Sequence, residues 1–560
     1  MKKRQWLFIP VVTIIITFLI LVGCTPAGTA ITPSVAEPVQ QPTTAVNTQS
    51  AQPATPPATL IGGKLIIGST EEIQTLDPLK SSWSDLTMGL IGGSLIYIDD
   101  KGNYVPYLAE SWTVTPDGLV WDFKLREDVK FHNGEPLTAK EYAWTYQTAL
   151  DPKTASPAAG PALGDVKSIE APDDYTLRIT LNAPNFPLLY GLAEPGFMQP
   201  VPPDVYQKEG DKFGHNPVGV GPYKFKEWVA GDHITLERNP DFAWPPAPWK
   251  GDKIVNYFDT IEFRFIPEYS TVLSGLESGD IDYAAIQPKD VELVKGLDRF
   301  QLFNTLTQGT YPAIWINVTK PPFDDLNVRR AFNYAIDRES IVKIVALGYG
   351  EVQKGPISSS VVGYWKGIEE LGYDFNLDKA KELMTAAGYV YGSDGMLSKD
   401  GKPFQLTLYS QSTNEEWTKI AEILKEQYKE LGVDITIVLE DPGVNQDRLV
   451  KGDYEASIAS QEWGEADTMY YMFHSSMIGG FNWSMINDPA LDKLLDLTRN
   501  ETDAVRRQQA VDDTAKMVVD QALIVPIYAP MRFYALSNRI EGATFSKFTY
   551  LNIWTAYVKK

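Results

Sequence analysis

A strand–helix–strand succession between residues 404 and 439 limits the choice of fold more than any other part of the sequence. The apolar pattern predicts one strand at 404–409 and a second at 433–439. The helix between them ends at Gly432. Its apolar residues stand at helical spacing: Trp417, Ile420, Ala421, Leu424, Tyr428 and Leu431. Because strands joined through a helix normally pair in parallel, we expect an α/β protein.

A further strand is predicted at 454–460, and it leads into a loop that runs from Gln461 to Asp467. In open α/β sheets, ligands bind beyond the carboxyl ends of the strands. This loop is therefore the first candidate for a ligand site.

Local patterns elsewhere predict further elements. Residues 64–68, 120–126 and 176–181 read as strands, and a capping box at 138–141 begins a helix. Asn376 can cap another helix. Residues 324–347 read as two helical segments, with Asp337 able to cap the second. We expect Arg329, Arg330 and Asp337 to form caps or ion pairs on the helix surface.

The N-terminus has the pattern of an export signal. Lys2, Lys3 and Arg4 precede an apolar run that is too short for a typical membrane span. The run ends in Leu-Val-Gly-Cys at 21–24, which resembles the lipobox of bacterial lipoproteins. That resemblance implies a signal peptide at 1–23, cleavage before Cys24 and lipidation of Cys24. The alternative is an uncleaved anchor helix with an incidental cysteine.

Residues 24–61 are predicted to form a disordered tether, because Thr, Pro, Ala, Gln and Val dominate and no aromatic residue is present. A lipid followed by a tether implies a body held outside the cell membrane, which faces the periplasm if a second membrane exists. Cys24 is the only cysteine of the chain, so we expect no disulfide.

The composition disfavours several classes of function. The formal net charge is −22, whereas nucleic-acid binding needs a basic surface. The four histidines are scattered and form no zinc motif. We find no nucleophile elbow, no phosphate loop and no calcium loop. The sequence therefore predicts no catalytic residue, no metal site and no cofactor.

An ordered series of motifs resembles family 5 of the extracytoplasmic solute-binding proteins, the oligopeptide and dipeptide binders of ABC importers. The resemblance runs from about Leu65 to the C-terminus. The motifs are LDP at 76–78, PYLAESW at 106–112, FKLR at 123–126, VKFHNGEPLTA at 129–139, NPVG at 216–219, GPYKF at 221–225, ERNP at 237–240, SGDID at 278–282, VRRA at 328–331, AIDR at 335–338, PALD at 489–492 and IVPIY at 524–528.

The resemblance implies a two-lobed periplasmic-binding-protein fold of type II, of the large cluster with an extra subdomain, whose lobes close about a hinge. One discontinuous lobe I domain would hold residues 62–91, 203–299 and 530–560. An additional domain on lobe I would be 92–202, and lobe II would be 300–529. A monomer is expected.

The resemblance also implies where the ligand binds. In the peptide binders, a carboxylate just after a Trp meets the ligand's ammonium, and Trp463, Glu465 and Asp467 match that region. Asp467 is the preferred partner. Ala158 stands where oligopeptide binders can place an aromatic residue near the ligand. Trp83, flanked by Ser82 and Ser84, could form a stacking wall instead.

The predicted function is that of a substrate-binding lipoprotein, which captures a peptide and delivers it to the permease subunits of an ABC importer. An oligosaccharide, an opine-like compound or a metal chelate are the alternative solutes. Aromatic walls suit sugar rings as well as peptide side chains. Two other classes stay open: a surface-anchored hydrolase, and a receptor-like sensor or chaperone that uses the same cleft.

Overall fold

The structure, a computed structural model, describes residues 60–81, 86–99, 101–249, 257–545 and 551–559. The predicted signal peptide, Cys24 and the tether up to residue 59 lie outside these ranges, as do Ser82, Trp83 and Ser84. No helix found within the ranges combines the length and the apolar composition that crossing a bilayer requires.

The described strands form three larger sheets and several short pairs. The eight-stranded sheet contains Lys64–Ser69, Tyr223–Val229, His233–Arg238, Thr260–Phe265, Tyr283–Ile286, Phe300–Leu306, Gly350–Val352 and Tyr528–Ser537. The five-stranded sheet contains Thr310–Ile316, Gln405–Gln411, Asp434–Glu440, Ala456–Gln461 and Ile524–Pro526. The four-stranded sheet contains Ala109–Val114, Val120–Leu125, Val166–Asp173 and Thr176–Leu181. The short strands are Ile96–Ile98 with Tyr104–Pro106, Val390–Tyr391 with Leu397–Lys399 and Lys402–Pro403, Ile540–Glu541 with Tyr557–Val558, and Thr544–Phe545 with Leu551–Asn552.

Helices cover these sheets. The longer ones are Ala139–Leu150, Tyr269–Ser278, Leu326–Tyr334, Arg338–Val345, Leu377–Ala386, Glu415–Glu430, Pro442–Lys451, Pro489–Asn500 and Ala504–Asp520. The shorter ones are Leu86–Ile91, Ala159–Leu163, Leu188–Ala193, Pro203–Glu209, Val291–Lys295, Ile368–Leu371 and Thr468–Phe473.

The predicted strand–helix–strand unit is confirmed. Gln405–Gln411 pairs in parallel with Asp434–Glu440 and also with part of Ala456–Gln461. The helix Glu415–Glu430 begins at Asn414, whose side chain accepts a hydrogen bond from the backbone N–H of Trp417. Two apolar clusters pack on opposite faces of the five-stranded sheet, with Ile314 in one cluster and Trp315 in the other. Burial on both faces explains the mainly apolar sequence of Thr310–Ile316 and Ile524–Pro526 in this sheet.

The other two sheets build two further domains. The eight-stranded sheet draws strands from both ends of the described chain, since Lys64–Ser69 and Tyr528–Ser537 both flank Tyr283–Ile286. The four-stranded sheet packs against the helix Ala139–Leu150, which starts with the predicted capping box of Thr138 and Glu141. We refer to the three units as the eight-stranded, four-stranded and five-stranded domains.

An antiparallel ribbon of two chain segments joins the eight-stranded and five-stranded sheets. Phe300–Leu306 pairs with Tyr528–Ser537 in the first sheet, and Thr310–Ile316 pairs with Ile524–Pro526 in the second. Only residues 307–309 and Ile527 lie between these strands. The sequence predicts that lobe II begins at residue 300. Phe300–Leu306 belongs instead to the eight-stranded sheet, because every residue of this strand pairs with Tyr528–Ser537. The connection between the domains therefore begins after Leu306.

Arg329, Arg330 and Asp337 were expected to form caps or surface ion pairs in the helical segment 326–345, and only part of this expectation is met. Asp337 caps its helix as predicted, accepting from the Ser340 backbone N–H at 3.1 Å. Arg329 is buried instead of forming a surface ion pair, and it donates to the backbone oxygens of Phe323 and Gln521. Its guanidinium satisfies carbonyl groups that no helix or strand uses. Arg330 likewise donates to a backbone oxygen, that of Asp520.

Arg338 ties the helix Arg338–Val345 to the five-stranded sheet. Its buried guanidinium donates to the backbone oxygens of Pro526, Asn333 and Tyr373 and to the Asn333 side chain. Burial lowers the pKa of Arg338 to about 10. Because Pro526 ends the strand before Ile527, this arginine also anchors one strand of the connection between the domains.

Replacing Arg338 by Met is expected to destabilise the protein by about 2–4 kcal/mol, because several buried carbonyl groups lose their donor. Lys343→Met is the matched control, since Lys343 is exposed on the same helix and should change stability by less than about 0.5 kcal/mol. Urea unfolding followed by Trp fluorescence measures both variants. Equal midpoints for the two variants would contradict the assignment.

Candidate functional site

A cavity of about 200 Å³ lies where the four-stranded and five-stranded domains meet. We call it the central cavity. One wall comes from the four-stranded domain and consists of Tyr104, Phe186, Pro187 and Leu189. The other comes from the five-stranded domain and consists of Val362, Gly363, Glu465, Asp467, Thr498, Ala504, Arg507, Gln508 and Val511. The predicted loop 461–467 therefore faces a cavity between domains.

Backbone pairing holds this loop in place. The N–H of Val362 donates to Gly464 O and the N–H of Ala466 donates to Val362 O, both at 2.9 Å. A Cβ atom at Gly464 would come within 2.3 Å of the Tyr190 hydroxyl, so a larger residue there would displace the end of the Tyr190 side chain in the four-stranded domain. Gly309, in the connection between the sheets, packs against the backbone of the same loop just as closely, and its φ of +75° also favours glycine.

Asp467 is buried and forms an ion pair within its own domain. Arg499 Nε donates to Asp467 Oδ1 at 2.6 Å, and Arg499 Nη2 donates to Oδ2 at 2.7 Å. The guanidinium stacks over Tyr470, with 3.5 Å from its central carbon to the ring centroid, and lies 4.9 Å from the Tyr471 centroid. Both carboxylate oxygens are thus bonded, and the charge of Asp467 is balanced without a ligand.

Glu465 is in a different electrostatic situation. It is half-buried, and its Oε2 accepts a hydrogen bond from the Asp467 backbone N–H at 2.6 Å. Within the described ranges, no lysine or arginine forms an ion pair with it. Burial raises the pKa of Glu465 to about 8, and the neighbouring Asp467 carboxylate acts in the same direction. A cationic group placed in the central cavity would stabilise its ionised form.

Trp463 bridges the two domains. Its ring lies 5.7 Å from that of Tyr190 in the four-stranded domain and 6.4 Å from that of Tyr471 in its own. It also lines an adjacent cavity of about 210 Å³, which shares Asp467 and Pro187 with the central cavity. The structure therefore brings Trp463, Glu465 and Asp467 together at the domain boundary.

Of the remaining predicted site residues, only Ala158 is described, and it lies away from the two cavities. Ala158 precedes the helix Ala159–Leu163 and packs against the core of the four-stranded domain, and it lines neither cavity. Trp83, Ser82 and Ser84 lie outside the described residues, so their predicted role as a wall stays a prediction.

Sequence reasoning missed Arg507 and Phe186. The Arg507 guanidinium lies 4.5 Å from the centroid of the Phe186 ring, across the boundary between the domains. Only one signal could have found Arg507: it shares a stripe at helical spacing with Ala504, Gln508 and Val511. Phe186 offers no signal, because its partner belongs to another domain.

Metal ligation finds no support in the described ranges, where no cluster of three His, Cys, Asp or Glu side chains could hold an ion. The acidic and basic side chains that line the central cavity are those of Glu465, Asp467 and Arg507.

The fold and the cavity define a two-lobed α/β binding protein, and comparison with known proteins identifies its family. The profile of the bacterial extracellular solute-binding proteins, family 5 Middle, matches residues 103–480. The chain belongs to this family, which confirms the resemblance found in the sequence.

Relatives align over most of their length. The chain is 29% identical to "Oligopeptide-binding protein AppA" of Bacillus subtilis, over 86% of this chain and 89% of the relative. It is 28% identical to "Heme-binding protein A" of Haemophilus influenzae, over 80% of this chain and 82% of the relative. The crystal structure of CtaP from Listeria monocytogenes, titled an ABC transporter substrate binding protein, has a TM-score of 0.75 and 25% identity, and the alignment covers 89% of this chain and all of that one.

Asp467→Asn is expected to destabilise the protein by about 2–4 kcal/mol, because Arg499 would keep a buried charge without its counter-ion. The double variant Asp467→Asn/Arg499→Gln removes both charges and should recover part of the loss. Urea unfolding of both variants provides the measurement. A single variant as stable as the wild type would contradict a structural role for the pair.

Glu465→Gln is expected to raise the melting temperature of the unliganded protein above pH 8, by roughly 1–3 °C. The pKa of Glu465 is raised from 4.5 to about 8 in the folded state, so its contribution to stability is complete below pH 4.5 and is lost as the pH rises through 8. Thermal unfolding at pH 4, 7 and 9 measures this. Glu422→Gln changes an exposed glutamate and is the control. If the melting temperatures of wild type and Glu465→Gln changed with pH in parallel, the raised pKa of Glu465 would be refuted.

Proposed function

We propose that this protein binds a peptide in the central cavity and delivers it to the permease subunits of an ABC importer. The observation that carries the proposal is the carboxylate of Glu465, which faces the cavity and forms no ion pair within the described residues. The free N-terminus of a peptide is a compact ammonium group that would balance this charge. Relatives named as oligopeptide-binding proteins support the same class of ligand.

Glu465, rather than Asp467, is the ammonium partner in this proposal. Asp467 already has two charge-assisted hydrogen bonds from Arg499. A ligand that took Asp467 would leave Arg499 with a buried charge and no partner, which costs several kcal/mol. For Glu465 the effect is the opposite. An ammonium group would remove the free-energy cost of keeping its carboxylate ionised without a counter-ion.

Closure of the domains supplies the rest of the mechanism. Tyr104, Phe186 and Leu189 come from the domain opposite to Glu465, so the cavity is complete only when both domains meet. A ligand held between the two walls stabilises the closed arrangement by its contacts with both of them. Rotation would take place at residues 307–309 and Ile527, and the closed form would dock on the permease.

The protein is proposed to act as a monomer that binds without catalysis, anchored outside the cell membrane by a lipid on Cys24 and the tether 24–61. The lipid carries the attachment, because a chain with a net charge of −22 is not attracted to anionic lipid. The titration below, repeated with an oligosaccharide, an opine-like compound or a metal chelate, tests the alternative solutes. Conversion of the added peptide into a product would indicate a hydrolase.

The test is isothermal titration of a synthetic tetrapeptide pool against the protein from residue 60 onward. Glu465→Gln is expected to weaken binding by about 10- to 100-fold, because a hydrogen-bonded charge pair is lost. N-acetylation of the pool should weaken binding to the wild type by a similar factor and change little in the variant. Glu422→Gln is the control, since Glu422 is exposed and lines neither cavity; unchanged affinity in Glu465→Gln would contradict the proposal.

The affinity for the free peptide should also rise with pH between about 6 and 8. Ionisation of Glu465 must precede pairing with an ammonium, so binding releases a proton below its pKa of about 8. Above pH 8 the peptide amine itself loses its proton, since its ordinary pKa is about 7.7–8.0. The rise should be absent in Glu465→Gln.

A further inference from the structure

Residues 353–360 lie against the connection between the eight-stranded and five-stranded sheets, and we call them the clamp segment. Ile357 of this segment is buried in the same apolar cluster as Trp315 of the five-stranded sheet. The backbone N–H of Gln353 donates to Ile527 O at 3.2 Å. The clamp segment is therefore anchored in the five-stranded domain and contacts the connection as well.

Ser358 binds two backbone carbonyl groups on the other side of the connection. Its side-chain hydroxyl donates to Thr307 O at 2.8 Å, and its backbone N–H donates to Gly309 O at 2.8 Å. The Ser360 hydroxyl lies 3.2 Å from the same Thr307 oxygen and 2.8 Å from the Ser358 hydroxyl. The side-chain amide of Gln353 donates to Gly309 O at 3.4 Å.

These two carbonyl groups enclose the backbone angles at which this part of the connection can rotate. The Thr307 N–H donates to Pro530 O at 2.9 Å, which continues the pairing of the eight-stranded sheet by one residue. The next strand begins directly after Gly309. Only the φ and ψ angles of Gln308 and Gly309 therefore lie between the two oxygens. Because Ser358 holds both oxygens, a rotation at these angles breaks at least one hydrogen bond.

The chain continues from the clamp segment to the loop of the central cavity. The Val361 N–H donates to Ser358 O at 3.1 Å and closes a turn. Val362 then exchanges backbone hydrogen bonds with Gly464 and Ala466, and it lines the central cavity. A short, hydrogen-bonded stretch thus links the contact with the connection to the wall of the cavity.

Burial makes the loss of these hydrogen bonds costly. Thr307 and Ser358 are each 2% exposed. A buried carbonyl group that loses its donor is not compensated by water, so its desolvation cost is felt in full. Contacts that exist in only one of two arrangements shift the equilibrium toward that arrangement.

We propose that Ser358 and Ser360 are positioning residues: their hydroxyl groups hold the connection at Thr307 in the closed conformation and set the ratio of closed to open protein before a solute binds. The proposal rests on the domain rotation of the proposed function, and it does not depend on the identity of the solute.

Distances between two spin labels, measured by double electron–electron resonance, test this proposal. Cys24 is the only cysteine, so Cys24→Ser gives a full chain without cysteine. Lys226→Cys and Lys425→Cys then place one label on an exposed position of the eight-stranded domain and one on an exposed position of the five-stranded domain. Dialysis against urea and then against buffer removes any bound solute first.

The labelled protein with native serines should show mainly the label distance of the closed arrangement. Ser358→Ala/Ser360→Ala should lower the ratio of closed to open distances by about 5- to 30-fold, because Thr307 O loses its hydroxyl donors. Ser359→Ala is the matched control. The Ser359 hydroxyl is exposed and donates to the Glu351 carboxylate, so its removal should leave the ratio unchanged.

An unchanged ratio in Ser358→Ala/Ser360→Ala overturns the proposal. An equal change in Ser359→Ala, or native serines with open distances alone, overturns it too. If circular dichroism shows that the double variant does not fold, Ser360→Ala changes a half-buried residue at the same oxygen, and a ratio equal to that of the native serines overturns the proposal. No solute takes part in these measurements, so a negative result leaves the proposed peptide binding intact, and failure of the peptide titration leaves the clamp intact.

Discussion

The antiparallel ribbon through both main sheets is the constraint on which the rest of the architecture depends. Each of its two segments is a strand in the eight-stranded sheet and again a strand in the five-stranded sheet. Strand pairing resists deformation within each sheet, so we expect any rotation between the two sheets to occur at residues 307–309 and Ile527. Gly309 lies in this connection and packs against the backbone of residues 461–463. The loop that faces the central cavity is therefore in direct contact with the connection between the domains.

Glu465 and Asp467 stand two positions apart in this loop, and they differ in whether an arginine balances their charge. Asp467 is neutralised by Arg499 and fixes the loop to the helix Pro489–Asn500. Glu465 lies in the same low-dielectric region without such a partner, and its pKa is raised accordingly. An unbalanced group in a cavity between domains costs stability until a ligand balances it. Under the proposed function, this difference would direct a cationic ligand group to Glu465 and leave Asp467 with a structural role.

Local patterns in the sequence were sufficient to predict helices and strands, but they were not sufficient to choose between the candidate ligand-binding residues. Spacing and capping residues predicted the helix after Asn414, the capping box at Thr138 and the parallel pairing, because each depends on residues close in the chain. The ordered motifs predicted the family and the two-lobed fold. The choice between Glu465 and Asp467 depends on Arg499, which is distant in sequence and carries no motif. The burial of Arg329 and the contact of Arg507 with Phe186 likewise arise only from tertiary packing.

Native mass spectrometry of the freshly purified protein, from residue 60 onward, tests the central claim most directly. The account predicts bound masses that resolve on denaturation into peptides with free N-termini. A single retained compound that is not a peptide, such as a sugar or a metal chelate, would keep the solute-binding function and contradict the role assigned to Glu465. Conversion of added peptide into fragments would contradict the account of a binding protein altogether.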